Sequence, residues 1–507
     1  MILNFFKDYE LKYSLINGFF PEDIPKNLFS TRDLFKYLNN TFVDELEKYL
    51  TSNGIKSTPC FWFSIYKGET ERRILGIPHI STYLCLSNFI LENINFIYNK
   101  ITSNSVSDSK NIFIPYDLTE SFEEVLKKRV WNSIGNKYIL SIDISKCYEN
   151  IYTHSISWGL IGKKEAKIQY SKKEALQSEE YKKSNKLDEK VRRINNNETK
   201  GIPTGPLTSR LISELVLAEI DNAIKEQKPN LKYNRFVDDY KFYFLKKEEA
   251  LQFIPILQRI LHDFKLSINQ SKTKIELFPN GIFGENLKAK LSNYDFNKNS
   301  IPSFINTFMF MHNSGIKGAF KYGMKVLSSQ KIENKDKDYV LACLINSLMI
   351  FPKISDIIIE IFDKNNLINK KNRDHITLLL NNLLLENIKN HHDEEIFWNL
   401  NFLIKFNLKI PETSILLILE REEIFTTIMI LDYIFKKRLS KEEKIFIKIN
   451  TLKTKLQNES IYSDKWLLIY ECATNNWISG LKKIVNKDKL LKVLLKDKFS
   501  FYNSPLN

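Results

Sequence analysis

A chain of 507 residues with 43% hydrophobic and 13% aromatic content can bury a large core, and its length suits two to four domains. Its formal net charge of +15 suits a polyanionic partner, although a sequence so rich in Lys, Asn, Ile, Tyr and Phe reaches such a balance for compositional reasons alone. Scattered cysteines (60, 85, 147, 343 and 472) exclude a zinc knuckle or disulfide framework; the lack of an eighteen-residue apolar run or a secretory start excludes a membrane span and predicts a cytoplasmic location.

The first predicted element is an amphipathic run, FFKDYELKYSLINGFF, containing Tyr9 and Tyr13. Residues 1–290 then mix short β-like runs with helical patterns and hold most of the Gly-Pro punctuation, including GIP at 76–78 directly after Arg72 and Arg73. A hydrophobic strand, Tyr138-Ile-Leu-Ser-Ile-Asp143, ends on a carboxylate, followed by Ile144 and, five residues after Asp143, by Tyr148. Residues 162–200 carry twelve Lys and Arg against seven Asp and Glu and read as a mobile, solvated helix and loop. GIPTGP at 201–206 places Thr204 and Gly205 in a turn before a helical run. Two β-like runs, Tyr233 to Val237 and Tyr240 to Leu245, flank Asp238-Asp239 as a hairpin would. LHDFKLSINQSKTKI, with Lys272, closes this half, and residues 291–507 read as successive apolar helices broken near Pro352 and Pro411. Their spacing suggests stacked antiparallel pairs of the HEAT or armadillo kind, without a clean internal repeat.

An Asp-Asp turn by itself is ordinary turn chemistry. Joined to a strand ending in Asp143, it becomes a candidate metal site, because phosphoryl transfer to a hydroxyl uses two Mg²⁺ ions held about 4 Å apart by converging carboxylates. Asp143, Asp238 and Asp239 are the candidate catalytic and metal-holding residues, with Ile144 beside them. Tyr148 could pack in the core, or lie under an incoming sugar and collide with a 2′-hydroxyl.

Taken together, these segments resemble reverse transcriptases. DISKCYENI is similar to their first palm motif, FVDD to the YxDD box, and RILGIP at 73–78 to the fingers motif R-x-L-G-I-P. GIPTGPLTSRL is similar to the G-x-P-Q-G motif, with Thr204 in place of the glutamine, and the stretch ending in SKTKI to the segment that closes the palm. The resemblance implies an α/β (α+β) fingers and palm with an antiparallel palm sheet over 1–290, and an all-α helical-repeat domain over 291–507 in place of a thumb. It also implies that Arg73, with Arg72 beside it, meets the triphosphate, that Thr204 and Gly205 line the nucleotide, and that Lys272 approaches the pyrophosphate. The implied cofactor is Mg²⁺, two per site, with Mn²⁺ as a substitute.

Within that group, IYTHSISW at 151–158, GIPTG without glutamine and KWLLIYE at 465–471 resemble the phage abortive-infection enzymes, the AbiK-like prophage relatives. That resemblance implies a homo-oligomeric antiphage protein polymerising dNTPs without a template. Priming by its own hydroxyl would leave single-stranded DNA covalently attached, and Tyr9 and Tyr13 are the priming candidates. Two alternatives remain open at this stage: a templated polymerase of retron or group II type, and a catalytically idle nucleic-acid-binding scaffold.

Overall fold

Alternating apolar residues build two antiparallel sheets in the computed structural model, which describes residues 8–68, 71–108, 122–280, 282, 294–295, 300–316 and 318–506. The first is a hairpin of β1 (Phe61–Tyr66) and β2 (Arg72–Ile77). Phe61, Phe63 and Ile65 are buried on one face and Trp62 is exposed on the other, as the two-residue period of a strand requires. The second sheet contains β3 (Tyr138–Asp143), β4 (Tyr233–Phe236), β5 (Asp239–Phe244) and β6 (Lys274–Leu277) in the order β4-β5-β3-β6, with every pairing antiparallel. Its apolar side is covered by helix Lys247–Asp263, while helix Leu207–Gln227 packs on helices Ile94–Asn104 and Ser155–Ile161. One hydrophobic core, made almost wholly of residues between Leu86 and Leu266, unites this palm.

A second core joins the two ends of the chain. Phe19, Phe20, Phe29, Phe61 and Phe63 share it with Phe397, Phe425, Trp466 and Phe501, and Phe29 meets Phe425 with ring centroids 4.6 Å apart. The Ser30 amide donates to the Phe501 carbonyl (2.9 Å), and the Asn503 amide to the Leu28 carbonyl (2.7 Å). The expected division at 290/291 falls on residues outside those described; the fingers and the C-terminal helices share this core.

The C-terminal helices lie in two rows. Ala319–Ser329, Ser355–Asn365, Asp393–Lys405, Ile424–Lys436 and Trp466–Thr474 pack successively along one, and Arg373–Lys389, Glu412–Arg421 and Glu443–Gln457 along the other. KWLLIYE belongs to the inner row: Trp466 and Glu471 are fully buried, and the Glu471 carboxylate accepts from the Phe501 amide (2.7 Å) and Ser500 Oγ (2.7 Å).

Within the polar stretch 162–200, residues 171–176 are exposed, as a solvated surface would be, and the helix that follows departs from that expectation. Helix Glu179–Arg193 is built into the fold, with Leu187 and Val191 buried; Lys190 and Arg193, also buried, pair with Glu47 at 3.0 and 2.6 Å. Its charges occupy two faces, one solvated and one neutralised by partners that composition cannot reveal. Cys60, Cys85, Cys147 and Cys472 are buried, Cys343 is half-buried, and all five are unpaired. Among the described residues no helix is long and apolar enough to cross a membrane.

Candidate active site

The site is assembled by strand register. Asp143, the last residue of β3, lies directly opposite Asp239, the first of β5. The β4–β5 connection contributes the third carboxylate: Phe236 pairs with Asp239, leaving Val237 and Asp238 as a two-residue turn. One oxygen from each of Asp143, Asp238 and Asp239 lies within 4.8 Å of the others, a donor set of hard oxygens suited to Mg²⁺ or Mn²⁺.

Val237 has φ +55°, a left-handed conformation at the turn position where glycine is favoured. A β-branched residue held there stores about 1–3 kcal/mol, strain typical of functional turns. The Ile144 amide donates to the Asp238 carbonyl (3.2 Å), tying the turn back to β3, while the Ile144 side chain is buried. Any metal ligand from Ile144 is therefore its own main-chain carbonyl.

Burial, and then the neighbouring Asp239 and Asp143, push the Asp238 carboxyl up to about 6. Asp239 is raised as well, first by burial and then by Asp143. Three carboxylates so close repel one another, and a bound divalent cation relieves that repulsion. Lys272 Nζ lies 3.2 Å from Asp143 Oδ1, and Asn269 supports Asp143 twice, its amide on the carbonyl (2.7 Å) and Nδ2 on Oδ2 (3.1 Å).

The remaining predicted residues surround this centre unequally. Half-buried Tyr148 stands on the short helix after Asp143, its carbonyl accepting from the Ile202 amide (2.9 Å), so the GIPTG turn is latched to the first palm motif. The Thr204 carbonyl accepts from the Gly76 amide (3.0 Å), joining the same turn to the fingers hairpin. Gly205 has φ +123°, and a Cβ there would stand 2.4 Å from Pro21 Cγ, so this position needs glycine on both counts. The Glu71 carboxyl, at the base of β2, is held low by Lys67 and further by Lys272 and Lys146, which puts the hairpin tip within electrostatic range of the carboxylates.

Arg73 is exposed on that hairpin. Arg72 instead makes a bidentate ion pair with Glu395 (2.5 and 2.8 Å) and donates to Ser64 Oγ (2.9 Å), a structural engagement. Tyr13 is half-buried and edge-on to Phe35 (6.2 Å between centroids); Tyr9 lies in the same helix, with its side chain outside those described. His154 pairs with buried Asp188 (2.6 Å), as a structural histidine does.

Sequence reasoning passed over Asn269 and Arg235. The sign of Asn269 was its place three residues before Lys272; that of Arg235 was a charge inside an otherwise apolar strand, which burial makes costly unless it is paired.

Residues 81–317 match the family model "Reverse transcriptase (RNA-dependent DNA polymerase)". The chain carries a reverse transcriptase domain. The matched span includes Asp143, Tyr148, Thr204, Gly205, Asp238, Asp239 and Lys272, and leaves the β1–β2 hairpin outside. The match supports a nucleotidyltransferase of the RNA-directed DNA polymerase kind, and reverse transcriptase domains generally use divalent metal ions.

No curated protein matches the chain. Among solved structures, apo telomerase from Candida tropicalis truncated from its C-terminal domain aligns at 12% identity and a TM-score of 0.31, over 48% of this chain and 56% of that one. Telomerase from Candida albicans in complex with a fragment of telomeric RNA aligns at 11% identity and 0.28, over 71% and 67%. The chain thus spans just over half the length of the first, and both likenesses are too remote to transfer activity.

Proposed function

We propose that the chain is a DNA nucleotidyltransferase that joins dNTPs at Asp143, Asp238 and Asp239. The observation that carries this is the convergence of the three carboxylates within 4.8 Å, on strands paired Asp143 to Asp239, inside a reverse transcriptase domain. Two divalent ions held there would supply activation of the attacking hydroxyl and neutralisation of the leaving pyrophosphate. The chain's own contribution is to position: Asn269 and Lys272 orient Asp143, exposed Arg73 is assigned to the triphosphate, and Lys272 to the pyrophosphate. Thr204 and Gly205 line the nucleotide, and Tyr148 stands under its sugar to exclude a 2′-hydroxyl.

The finer reading rests on the AbiK-like sequence features: a cytoplasmic, homo-oligomeric abortive-infection protein that extends DNA without a template from a hydroxyl of its own chain. Next-but-one packing of the C-terminal helices supports the helical-repeat reading of that region. Tyr13, held edge-on to Phe35, would need to leave its packing to prime, and Tyr9 stands beside it as the second candidate. The domain match itself favours the templated alternative, so the test must separate them.

Purified protein is incubated with Mg²⁺ and labelled dNTPs without primer or template, then resolved with and without protease beside an Asp239→Asn control. Label that migrates with the protein until proteolysis, and is missing in the mutant, is the expected result. Product made only on a primed template would establish the templated enzyme, and no product under either condition the idle scaffold.

A further inference from the structure

Beneath the catalytic turn lies a buried ionic network that the mechanism above does not use. Arg235 on β4 is fully buried, as is Asp221, and Glu214 is nearly so. Its guanidinium donates to both Asp221 oxygens (Nε at 3.3 and 3.1 Å, Nη2 at 2.7 Å) and to both Glu214 oxygens (2.9 and 2.7 Å). Ser105 Oγ closes the network, accepting from Nη2 (3.2 Å) and donating to Glu214 (2.7 Å). One further contact leaves this cage: Nη1 donates to the main-chain carbonyl of Val237 (2.9 Å).

That carbonyl belongs to the peptide plane preceding Asp238, whereas the plane following it is held by the Ile144 amide on the Asp238 carbonyl (3.2 Å). Both planes flanking Asp238 are thus fixed, one by Arg235 and one by the residue next to Asp143. Val237, whose carbonyl is held, itself sits at φ +55°, which a valine avoids when free.

We infer that Arg235 is a positioning residue: its guanidinium, locked by Glu214 and Asp221, holds the Val237 carbonyl and thereby aims Asp238 at the metal-binding point. Arg235 touches neither nucleotide nor metal and acts through the turn. This inference rests on the proposed metal site and adds the element that gives the site its shape.

The test is Mn²⁺ binding by electron paramagnetic resonance on the full chain, in wild type, Arg235→Lys and Val237→Gly, with Asp238→Asn as the site control. Lysine keeps the charge but cannot reach both carboxylates and the carbonyl together; glycine removes the strain and frees the turn. Both variants should bind Mn²⁺ roughly 10-fold more weakly or worse, as lost outer-sphere support does in metal sites. Under polymerising conditions kcat should fall by a similar factor while the dNTP KM stays within about threefold, because Asp238 and not nucleotide contact is disturbed. Val237→Gly should also melt about 2 °C higher, since the strain it relieves opposes folding.

A folded Arg235→Lys or Val237→Gly protein whose Mn²⁺ affinity matches wild type overturns the inference. Should Arg235→Lys not fold, Val237→Gly decides alone. Weakened Mn²⁺ binding in the variants, beside a wild-type protein that polymerises nothing, would uphold the positioning role and remove the polymerase reading; unaltered binding in Asp238→Asn would remove both.

Discussion

The two cores of the molecule are closed by different kinds of contact. The palm core draws almost wholly on residues between Leu86 and Leu266, and its sheet pairs neighbours such as Phe236 with Asp239. The other core brings residues 16–85 against residues 301–502, across the entire palm in sequence. The carboxylates therefore stand on a locally closed scaffold, whereas the fingers hairpin borrows its rigidity from the far end of the chain. The acidic start of helix Asp393–Lys405 shows how: Asp393 and Glu394 accept from the Ser64 and Tyr66 amides (3.2 and 2.6 Å), and Glu395 pairs with Arg72. Helix carboxylates thus cap the free edge of β1, which would otherwise present unpaired donors.

The sharpest way to break this contrast is to remove chemistry without touching either core. Asp239→Asn should reduce nucleotidyl transfer by roughly 10²–10³-fold, since metal ions supply several kcal/mol of transition-state stabilisation, and leave the melting temperature intact. A fall in both would mean that the carboxylates also hold the palm together.

Next in size, Phe425→Ala empties the middle of the long-range core and should cost about 3–5 kcal/mol in denaturant unfolding. Hydrogen exchange should then quicken together in the fingers hairpin and helix Ile424–Lys436 while β3 and β5 stay protected. Uniform loss across all strands would show one cooperative unit and not two.

Glu395→Gln removes the charge facing half-buried Arg72 and should cost about 1.5–3 kcal/mol, the range for hydrogen bonds to charged groups. The expected readout is faster amide exchange at Ser64 and Tyr66, with a larger effect on dNTP KM than on kcat if the helix positions the hairpin.

The smallest effect is on pH dependence. Burial pushes Glu471 up to about 7, as it does Glu394 and Glu423, so the fold prefers these carboxyls neutral. A raised carboxyl contributes stability that is fully present below its ordinary value near 4.5 and is lost as pH climbs through about 7. The melting temperature should therefore drift downward between those values, and Glu471→Gln should flatten part of the drift.

Much of the palm was legible because its signals are local. A strand ending in Asp143, a hairpin presenting Asp238 and Asp239, and the GIPTG turn each carry their meaning within ten residues. Within the polar run 162–200, helix Glu179–Arg193 was misread because charge composition cannot show that Lys190 and Arg193 find Glu47 inside the fold. Arg72 could not be separated from Arg73 for the same reason, since Glu395 lies more than 300 residues away.

By itself, then, the sequence singled out the three carboxylates that converge within 4.8 Å, the mixed helix-and-strand character of the half that holds them, and the helices that follow it. Period, turn residues and carboxylates act over short spans. Only the tertiary structure decided that the two ends of the chain share one core, that an acidic helix start secures the fingers, and that Arg235 lies beneath the Asp238 turn. Those are choices among distant partners, made by burial and charge pairing once the chain has closed on itself.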